Sequence, residues 1–289
     1  MPLTIRKAIF PVGGLGTRFL PATKSMPKEM LPVVDKPLIQ YAVEEAMEAG
    51  IEELIFVTGR GKSAIEEHFD HAYELQEMLE KRDKTAALKV VKDSIPKPGQ
   101  IAYTRQLEPL GLGHAIWCAR NFVGTDPVAV LLADDLILSE HGCLKQMIEA
   151  YNSVGGNMVA VMEVEREQTS SYGIITPCVF KNPLIEVLDL IEKPEASKAP
   201  SNLAVIGRYI LQPNIFNDLG RFEKGSGGEI QLTDSIARQV GFEPLNGFKF
   251  DGQRFDCGSK VGFLEANIAY ALKREDLKNP IQQFIQKII

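Results

Sequence analysis

The part of this chain that most constrains its fold is residues 8–32, where a short apolar run leads into a loop rich in glycine and proline. Residues 8–10 have the continuous apolar character of a buried strand. Glycine lets backbone N–H groups approach an anion closely, because no Cβ intervenes. The loop carries three glycines and then three cations: Gly13, Gly14 and Gly16, followed by Arg18, Lys24 and Lys28. The segment therefore predicts a binding loop for a polyanion, with a nucleoside triphosphate as the best candidate.

Two common phosphate-binding motifs do not explain this loop. The Gly-Lys-Ser/Thr ending of a P-loop is absent from it. A dinucleotide-binding fingerprint needs a third glycine at the position that Phe19 occupies. A tight surface turn with solvated cations is the alternative interpretation. Three cations held between prolines favour phosphate binding over that alternative.

Residues 13–18 together with residues 27–32 resemble the signature of the sugar-phosphate nucleotidylyltransferases, and residues 24–32 are similar to the branch that transfers uridylyl groups. Similar segments occur in order from Lys7 to about Leu272. The resemblance implies transfer of a uridylyl group from UTP to glucose 1-phosphate, which yields UDP-glucose and pyrophosphate. It assigns catalytic charge neutralisation to Arg18 and Lys28. It assigns nucleotide binding to Gly13, Gly14, Gly16 and Thr17.

A second loop, residues 106–115, follows the strand pattern at residues 101–105. The amide of Gln106 presents a donor on one side and an acceptor on the other, as the imide edge of uracil requires. The resemblance assigns base binding to Gln106 and Gly111. The alternative for Gln106 is a strand-end residue that bonds to the backbone. We expect His114 in the first turn of the next helix, with a packing or capping role rather than a catalytic one.

Two aspartates are expected to bind Mg²⁺. The apolar run at residues 128–133 is typical of a central parallel strand, and Asp134 follows it directly. Carboxylates at this end of a strand lie where open α/β sheets bind ligands, and Mg²⁺ takes one or two carboxylates plus phosphate oxygens. Asp135 is better suited to capping a helix. The resemblance adds Asp256, in the segment 255–258, as the second metal ligand.

The sugar-phosphate side of the site is indicated by the resemblance alone. It assigns sugar binding to Gly173, Glu192 and Lys193. Glu192 would accept hydrogen bonds from sugar hydroxyls, and Lys193 would also act in catalysis by holding the phosphate. In isolation, the run Glu192-Lys193-Pro194 would be typical of an ordinary solvated turn. Residues 225–234 resemble a further segment of the family and predict a mobile turn that enters a helix.

The composition of the chain limits which kinds of ligand and which cell compartment we expect for this protein. The chain has 289 residues, a net charge of −6 and a pI near 5.4. An acidic chain is a poor general binder of nucleic acid or of an anionic membrane, so its phosphate affinity must be local. We see neither a secretory signal pattern nor an apolar run of ~20 residues, and we expect a cytoplasmic protein. The four scattered cysteines are expected to be buried, without a disulfide or a metal.

The order of strand and helix patterns predicts an α/β fold. Alternating βα units in the first half favour a Rossmann-like, mixed but mostly parallel central sheet flanked by helices. The strand-rich second half predicts a smaller substrate-side sheet. We expect a nucleotidyltransferase domain at residues 1–272. We expect residues 273–289 to form an amphipathic helical tail that packs on the core or on a second subunit of a homo-oligomer, a dimer or a tetramer.

Two other functions stay open at this point. The first is the same chemistry with another nucleotide or sugar phosphate, such as thymidylyl transfer. The second is a regulatory protein that binds nucleotide sugars without turnover. The presence of both Asp134 and Asp256 with Lys28 argues against the second function.

Overall fold

A nine-stranded mixed β-sheet forms the centre of the computed structural model, which describes residues 4–288. The strands are β1 Lys7–Pro11, β2 Pro32–Val33, β3 Lys36–Pro37, β4 Glu53–Thr58, β5 Ile101–Arg105, β6 Val128–Leu131, β7 Asp135–Leu138, β8 Asn157–Glu163, β9 Gly173–Lys181, β10 Leu184–Glu192, β11 Leu203–Leu211, β12 Leu245–Lys249 and β13 Gln253–Asp256. The helices are α1 Leu38–Glu48, α2 Ser63–His68, α3 Tyr73–Lys81, α4 Thr85–Asp93, α5 Leu112–Cys118, α6 Arg120–Val123, α7 Cys143–Val154, α8 Ile215–Leu219, α9 Leu232–Gln239, α10 Lys260–Lys273 and α11 Glu275–Ile288.

The order of strands in the large sheet is β5-β4-β1-β6-β11-β8-β12-β10-β9. The first four strands are parallel, and β8 pairs in parallel with β12. The other neighbours pair antiparallel. The predicted mixed α/β sheet is therefore present, but it is mostly parallel only in its first half.

The prediction of a smaller sheet on the substrate side is wrong, because β9, β10 and β11 belong to the large sheet. Every residue of β11 is buried, so this strand needs neighbours and helices on both sides. It lies between β6 and β8 near the middle of the sheet. Apart from the large sheet, the described residues contain only two-stranded ribbons, β2–β3 and β7–β13.

Helices cover both faces of the sheet. In α1, Ile39, Ala42, Val43 and Ala46 recur at helical spacing and are buried against one face. The other face packs against α5 and α9, with Ile116 and Ile236 buried among the strand residues. Full burial of one large apolar side chain contributes about 1.5–3 kcal/mol. The sheet is therefore held between two buried apolar layers, which fixes the positions of the strand ends.

Strand register brings the loops of interest to one edge of the sheet. Ile9 of β1 lies opposite Val130 of β6 in a parallel pair. The loop that follows β1 and the loop that follows β6 therefore leave the sheet side by side. In the β7–β13 ribbon, Asp135 lies opposite Asp256. Segments that are distant in sequence thus converge at the carboxyl ends of β1 and β6, where open α/β sheets bind ligands.

The cysteines differ from the expectation in one respect. All four are free thiols; Cys143 and Cys257 are buried, and Cys118 is half-buried. Cys178, however, is exposed, because it lies on the outer part of the edge strand β9 where the pattern of burial ends. Separately, within residues 4–288 the helices are all too short or too polar to cross a membrane.

Candidate active site

The glycine loop after β1 folds back against the segment that carries Lys28. Gly16 has a left-handed backbone with φ of 66°, a conformation that favours glycine. A Cβ on this residue would also meet the Lys28 Cβ at 3.0 Å. The Thr23 hydroxyl donates a hydrogen bond to the Gly16 carbonyl at 2.7 Å. Loop and lysine segment therefore form one unit, and a side chain at Gly16 would separate them.

A cavity of about 470 Å³ opens beside this loop. It brings together most of the residues that the sequence suggested for the nucleotide: Gly13, Gly14, Gly16, Thr17, Lys28, Gln106 and Gly111. Asp134 and Glu229 also line it. Lys24 does not; its side chain is exposed on the surface, so only two of the three cations in the loop reach a cavity. Arg18, which was suggested together with Lys28, lines the second cavity instead.

A second cavity, of about 200 Å³, holds the residues suggested for the sugar phosphate. Its lining includes Arg18, Asp134, Gly173, Glu192, Lys193 and Asp256. Asp134 lines both cavities, as do Leu112 and Leu132, so the two cavities adjoin at this carboxylate and are together called the groove. The groove can therefore hold two ligands that meet at Asp134.

Pairing of β9 with β10 sets the sugar side of the groove. Gly173 lies opposite Glu192 in this antiparallel pair. The Thr233 hydroxyl donates to Glu192 Oε2 at 2.7 Å, and the Lys193 ammonium lies 3.3 Å from Glu192 Oε1. The Lys193 backbone N–H bonds to the Tyr172 carbonyl at 2.9 Å. Both oxygens of Glu192 are thus held in fixed directions, as recognition of sugar hydroxyls requires.

Asp134 forms an ion pair with Lys28, with 2.6 Å between Oδ2 and Nζ. Burial raises the pKa of the Asp134 carboxyl, but the Lys28 ammonium more than offsets this and leaves that pKa below its ordinary value. The carboxylate is therefore charged at neutral pH. Asp134 lies in the turn between β6 and β7, two residues later than a direct strand end would place it.

Asp256 and Asp134 converge on the space beside Gly258. A Cβ at Gly258 would lie 3.0 Å from Asp256 Oδ1, 3.1 Å from Asp134 Oδ2 and 3.4 Å from Arg18 Nη1. Glycine therefore leaves a small gap between two carboxylates. A hard cation such as Mg²⁺ fits this donor set, since it takes one or two carboxylates and completes its shell with phosphate oxygens and water. Across residues 4–288, no cluster of three or more His, Cys, Asp or Glu side chains suits a metal ion, so the protein offers only a partial shell.

Sequence reasoning missed Arg254, which joins three parts of the site. Its Nε donates to Asp135 Oδ1 at 2.6 Å and its Nη1 donates to the Tyr172 hydroxyl at 2.9 Å. Its Nη2 lies 3.9 Å from Asp256 Oδ1. The sequence position of this arginine could have indicated its role, because residues two apart on a strand share a face. Arg254 stands two residues before Asp256, and so it faces the same groove.

Asp135 does not cap a helix, contrary to the expectation. It begins strand β7, and its buried side chain accepts hydrogen bonds from Arg254 and, at 2.7 Å, from the backbone N–H of Gly207. A buried carboxylate needs such partners. Asp135 therefore fixes the position of its neighbour Asp134.

Arg208 stabilises the turn that carries Asp134. Its side chain is 1% exposed and donates one hydrogen bond to each carboxylate oxygen of Glu45. It also donates to the carbonyls of Leu132 and Asp135, at 3.0 and 2.8 Å. These carbonyls flank Asp134 on both sides. The turn that presents Asp134 is thus anchored to a buried ion pair, which sequence reasoning did not find.

The fold and the groove define a nucleotidyltransferase. Residues 7–273 match the family model described as nucleotidyl transferase, and the chain belongs to this family. It is similar in particular to a UTP–glucose-1-phosphate uridylyltransferase from Komagataeibacter xylinus, with 51% identity over 89% of this chain and 90% of that protein.

Two solved structures are similar along almost their whole length. One is a UDP-glucose pyrophosphorylase complexed with UDP-glucose, with 47% identity and a TM-score of 0.86 over 94% of this chain and 100% of that one. The other is a UTP-bound UGPase from Acinetobacter baumannii, with 42% identity and a TM-score of 0.91 over 99% of this chain and 100% of that one.

Proposed function

We propose that this chain transfers the uridylyl group of UTP to glucose 1-phosphate, giving UDP-glucose and pyrophosphate. The observation that carries the proposal is the meeting of two cavities at Asp134. A nucleotide bound along the glycine loop and a sugar phosphate bound near Glu192 would face each other there. Similarity to proteins named for this reaction, and to structures with UTP and UDP-glucose, supports these substrates.

The proposed reaction is an in-line displacement at phosphorus. A phosphate oxygen of glucose 1-phosphate attacks the α-phosphorus of UTP, and the bond from that phosphorus to the bridging oxygen of pyrophosphate breaks. Because the attacking oxygen is already anionic, no general base is needed. The protein supplies orientation and positive charge. Arg18 and Lys28 neutralise the triphosphate and the departing pyrophosphate, and Lys193 holds the phosphate of the sugar.

Recognition of the two substrates is assigned to the two ends of the groove. Gly13, Gly14, Gly16 and Thr17 bring backbone groups close to the nucleotide. Gln106 and Gly111 bind the uracil edge. Gly173 and Glu192 bind the sugar at the other end. These assignments agree with the cavities that the residues line.

Mg²⁺ is the proposed cofactor, held by Asp134 and Asp256. When bound, it supplies positive charge to the phosphate oxygens of the reacting groups. Lys28 occupies one oxygen of Asp134. It is therefore proposed to exchange this carboxylate for a phosphate oxygen when nucleotide enters, which keeps the ammonium paired throughout.

We also propose a catalytic domain at residues 1–272 and a tail at residues 273–289 that contacts a second copy of the chain. Val261 and Leu264 of α10 and Phe284 of α11 are exposed and apolar, as a subunit contact would require. We infer a homodimer or tetramer in the cytoplasm without nucleic-acid or membrane partners. Light scattering during size-exclusion chromatography measures the mass, and a monomer at micromolar concentration would contradict this.

The test of function is pyrophosphate release from UTP, glucose 1-phosphate and Mg²⁺. We expect multiple turnovers, and loss of turnover when either substrate or the metal is omitted. Competition among UTP, dTTP and CTP then separates uridylyl from thymidylyl transfer. Binding of UDP-glucose without pyrophosphate release under these conditions would identify a regulatory binding protein instead.

A further inference from the structure

The side-chain amide of Gln106 is held in one orientation. Its Nε2 lies 3.0 Å from the carbonyl oxygen of Gly111. A carbonyl oxygen can only accept, so the NH₂ group and not the oxygen must face it. The other side of the amide, Oε1, lies beside the glycine loop, where a Cβ at Gly13 would be 3.2 Å away. Gln106 therefore presents an acceptor to the nucleotide cavity.

His114 accounts for the second hydrogen of this amide. Its Nδ1 lies 3.1 Å from Gln106 Nε2 and also 3.1 Å from the carbonyl oxygen of Glu108. Nδ1 cannot accept from the first and donate to the second at once. The Glu108 carbonyl already accepts the backbone N–H of Leu110 at 2.8 Å. Nδ1 is therefore free to accept a hydrogen bond from Gln106. In the neutral ring protonated on Nε2, every donor has a partner.

The other ring nitrogen agrees with this tautomer. Nε2 lies 3.8 Å from the sulfur of Cys118. Burial raises the pKa of that thiol, so the sulfur is a neutral, weak acceptor. His114 is 9% exposed and packs against both Trp117 and Phe222. Its ring does not line the nucleotide cavity, so it acts through Gln106.

We propose that His114 sets the base preference of the nucleotide site by locking Gln106 with its acceptor toward the base. The inference rests on the uridylyl transfer proposed above. Gly111 lines the same cavity, and its N–H donates to no group within residues 4–288. An acceptor from Gln106 and a donor from Gly111 complement the N3–H donor and O4 acceptor of uracil. Cytosine presents the reverse pattern at these atoms, an acceptor at N3 and a donor at N4. A flipped amide would exchange the two preferences.

Three variants test this role by their preference for UTP over CTP. His114→Leu removes the acceptor, and we expect the ratio of kcat/KM values to fall about tenfold, the effect of one mispaired hydrogen bond of ordinary strength. His114→Asn places an amide oxygen near the position of Nδ1 and should keep the ratio within about twofold. Phe222→Leu disturbs packing against the same ring without removing an acceptor, and it should leave the ratio unchanged. An unchanged ratio in His114→Leu overturns the proposal.

A measurement on the unaltered protein makes the proposal independent of how the variants fold. The chain has 4 histidines, so ¹⁵N spectra of the imidazole nitrogens can be assigned with His114→Asn as the reference. We expect Nδ1 of His114 to be unprotonated and Nε2 to carry the hydrogen at neutral pH. A hydrogen on Nδ1 of His114 would refute the proposal that this nitrogen orients the Gln106 amide. Failure of the wild-type chain to release pyrophosphate from UTP would refute the proposed function while leaving the tautomer intact, so the two failures are distinguishable.

Discussion

Replacement of Gly258 by alanine is the most direct probe of the gap between the two carboxylates. The added methyl group would lie 3.0 Å from Asp256 Oδ1 and 3.1 Å from Asp134 Oδ2. It would therefore fill the space in which Mg²⁺ is proposed to bind. The backbone of Gly258 is outside the left-handed region, so alanine can adopt its conformation without strain.

The expected loss of stability is small compared with the loss of activity. Contacts this close must relax by a few tenths of an ångström, and overpacking of this kind costs about 1–3 kcal/mol. Alanine offsets about 0.4–1 kcal/mol by restricting the unfolded chain. The free energy of unfolding should therefore fall by no more than about 2.5 kcal/mol. Because reacting groups misplaced by about 1 Å can lose a hundredfold in rate, we expect kcat to fall at least that far.

The assay is pyrophosphate release titrated with Mg²⁺, combined with Mn²⁺ binding measured by electron paramagnetic resonance in the presence of UTP. Gly247→Ala is a matched control, because its methyl group would meet Ile175 Cδ1 at 3.1 Å and Val161 Cγ1 at 3.4 Å, and none of these three residues lines the groove. The control should lose stability to a similar extent and keep its turnover. Normal kcat and normal Mn²⁺ affinity in Gly258→Ala would refute the metal site proposed between Asp134 and Asp256.

Three further predictions concern single side chains. Asp134→Asn keeps the shape but removes the charge, so turnover should fall by about a thousandfold or more with little change in Tm; near-normal turnover at saturating Mg²⁺ would remove this residue from the site. Lys193→Ala should raise KM for glucose 1-phosphate more than KM for UTP, whereas Lys28→Ala should chiefly lower kcat. Initial rates measured while both substrate concentrations are varied test this, and a rise in KM for UTP alone in Lys193→Ala would contradict it. Burial raises the pKa of Cys257 to about 12, so iodoacetamide at pH 8 should alkylate the exposed Cys178 first without loss of activity; mass spectrometry that found Cys257 labelled first would contradict the structure.

Features predicted correctly from the sequence are those that depend on neighbours along the chain. The glycine loop and the strands predicted at residues 101–105 and 128–133 each have a local signature, either turn chemistry or an apolar run. The structure has an element or loop at each of these places. The resemblance to a family then suggested which residues would meet, and the structure brings those residues to one groove. Their individual roles remain predictions.

Features that were missed depend on partners far away in the sequence. Arg208 meets Glu45 across 163 positions, and Arg254 meets Asp135 across 119 positions. No local pattern marks an arginine as buried, since an isolated arginine is usually exposed. The place of β11 in the large sheet depends in the same way on β6 and β8, which lie on either side of it. The interpretation of His114 as a packing residue was incomplete, because only the folded loop shows its contact with Gln106.

The β7–β13 ribbon has a consequence for how this protein is made. Its first strand is synthesised before β8–β12, whereas its second strand, which carries Asp256, is synthesised after them. Until that second strand emerges, Asp135 has no Arg254 beside it, and Asp134 has no companion carboxylate. A nascent chain that ends just before residue 253 therefore has the residues that line the nucleotide cavity, but not both carboxylates proposed for catalysis. The two proposed metal ligands therefore come together only after every strand of the large sheet has been made.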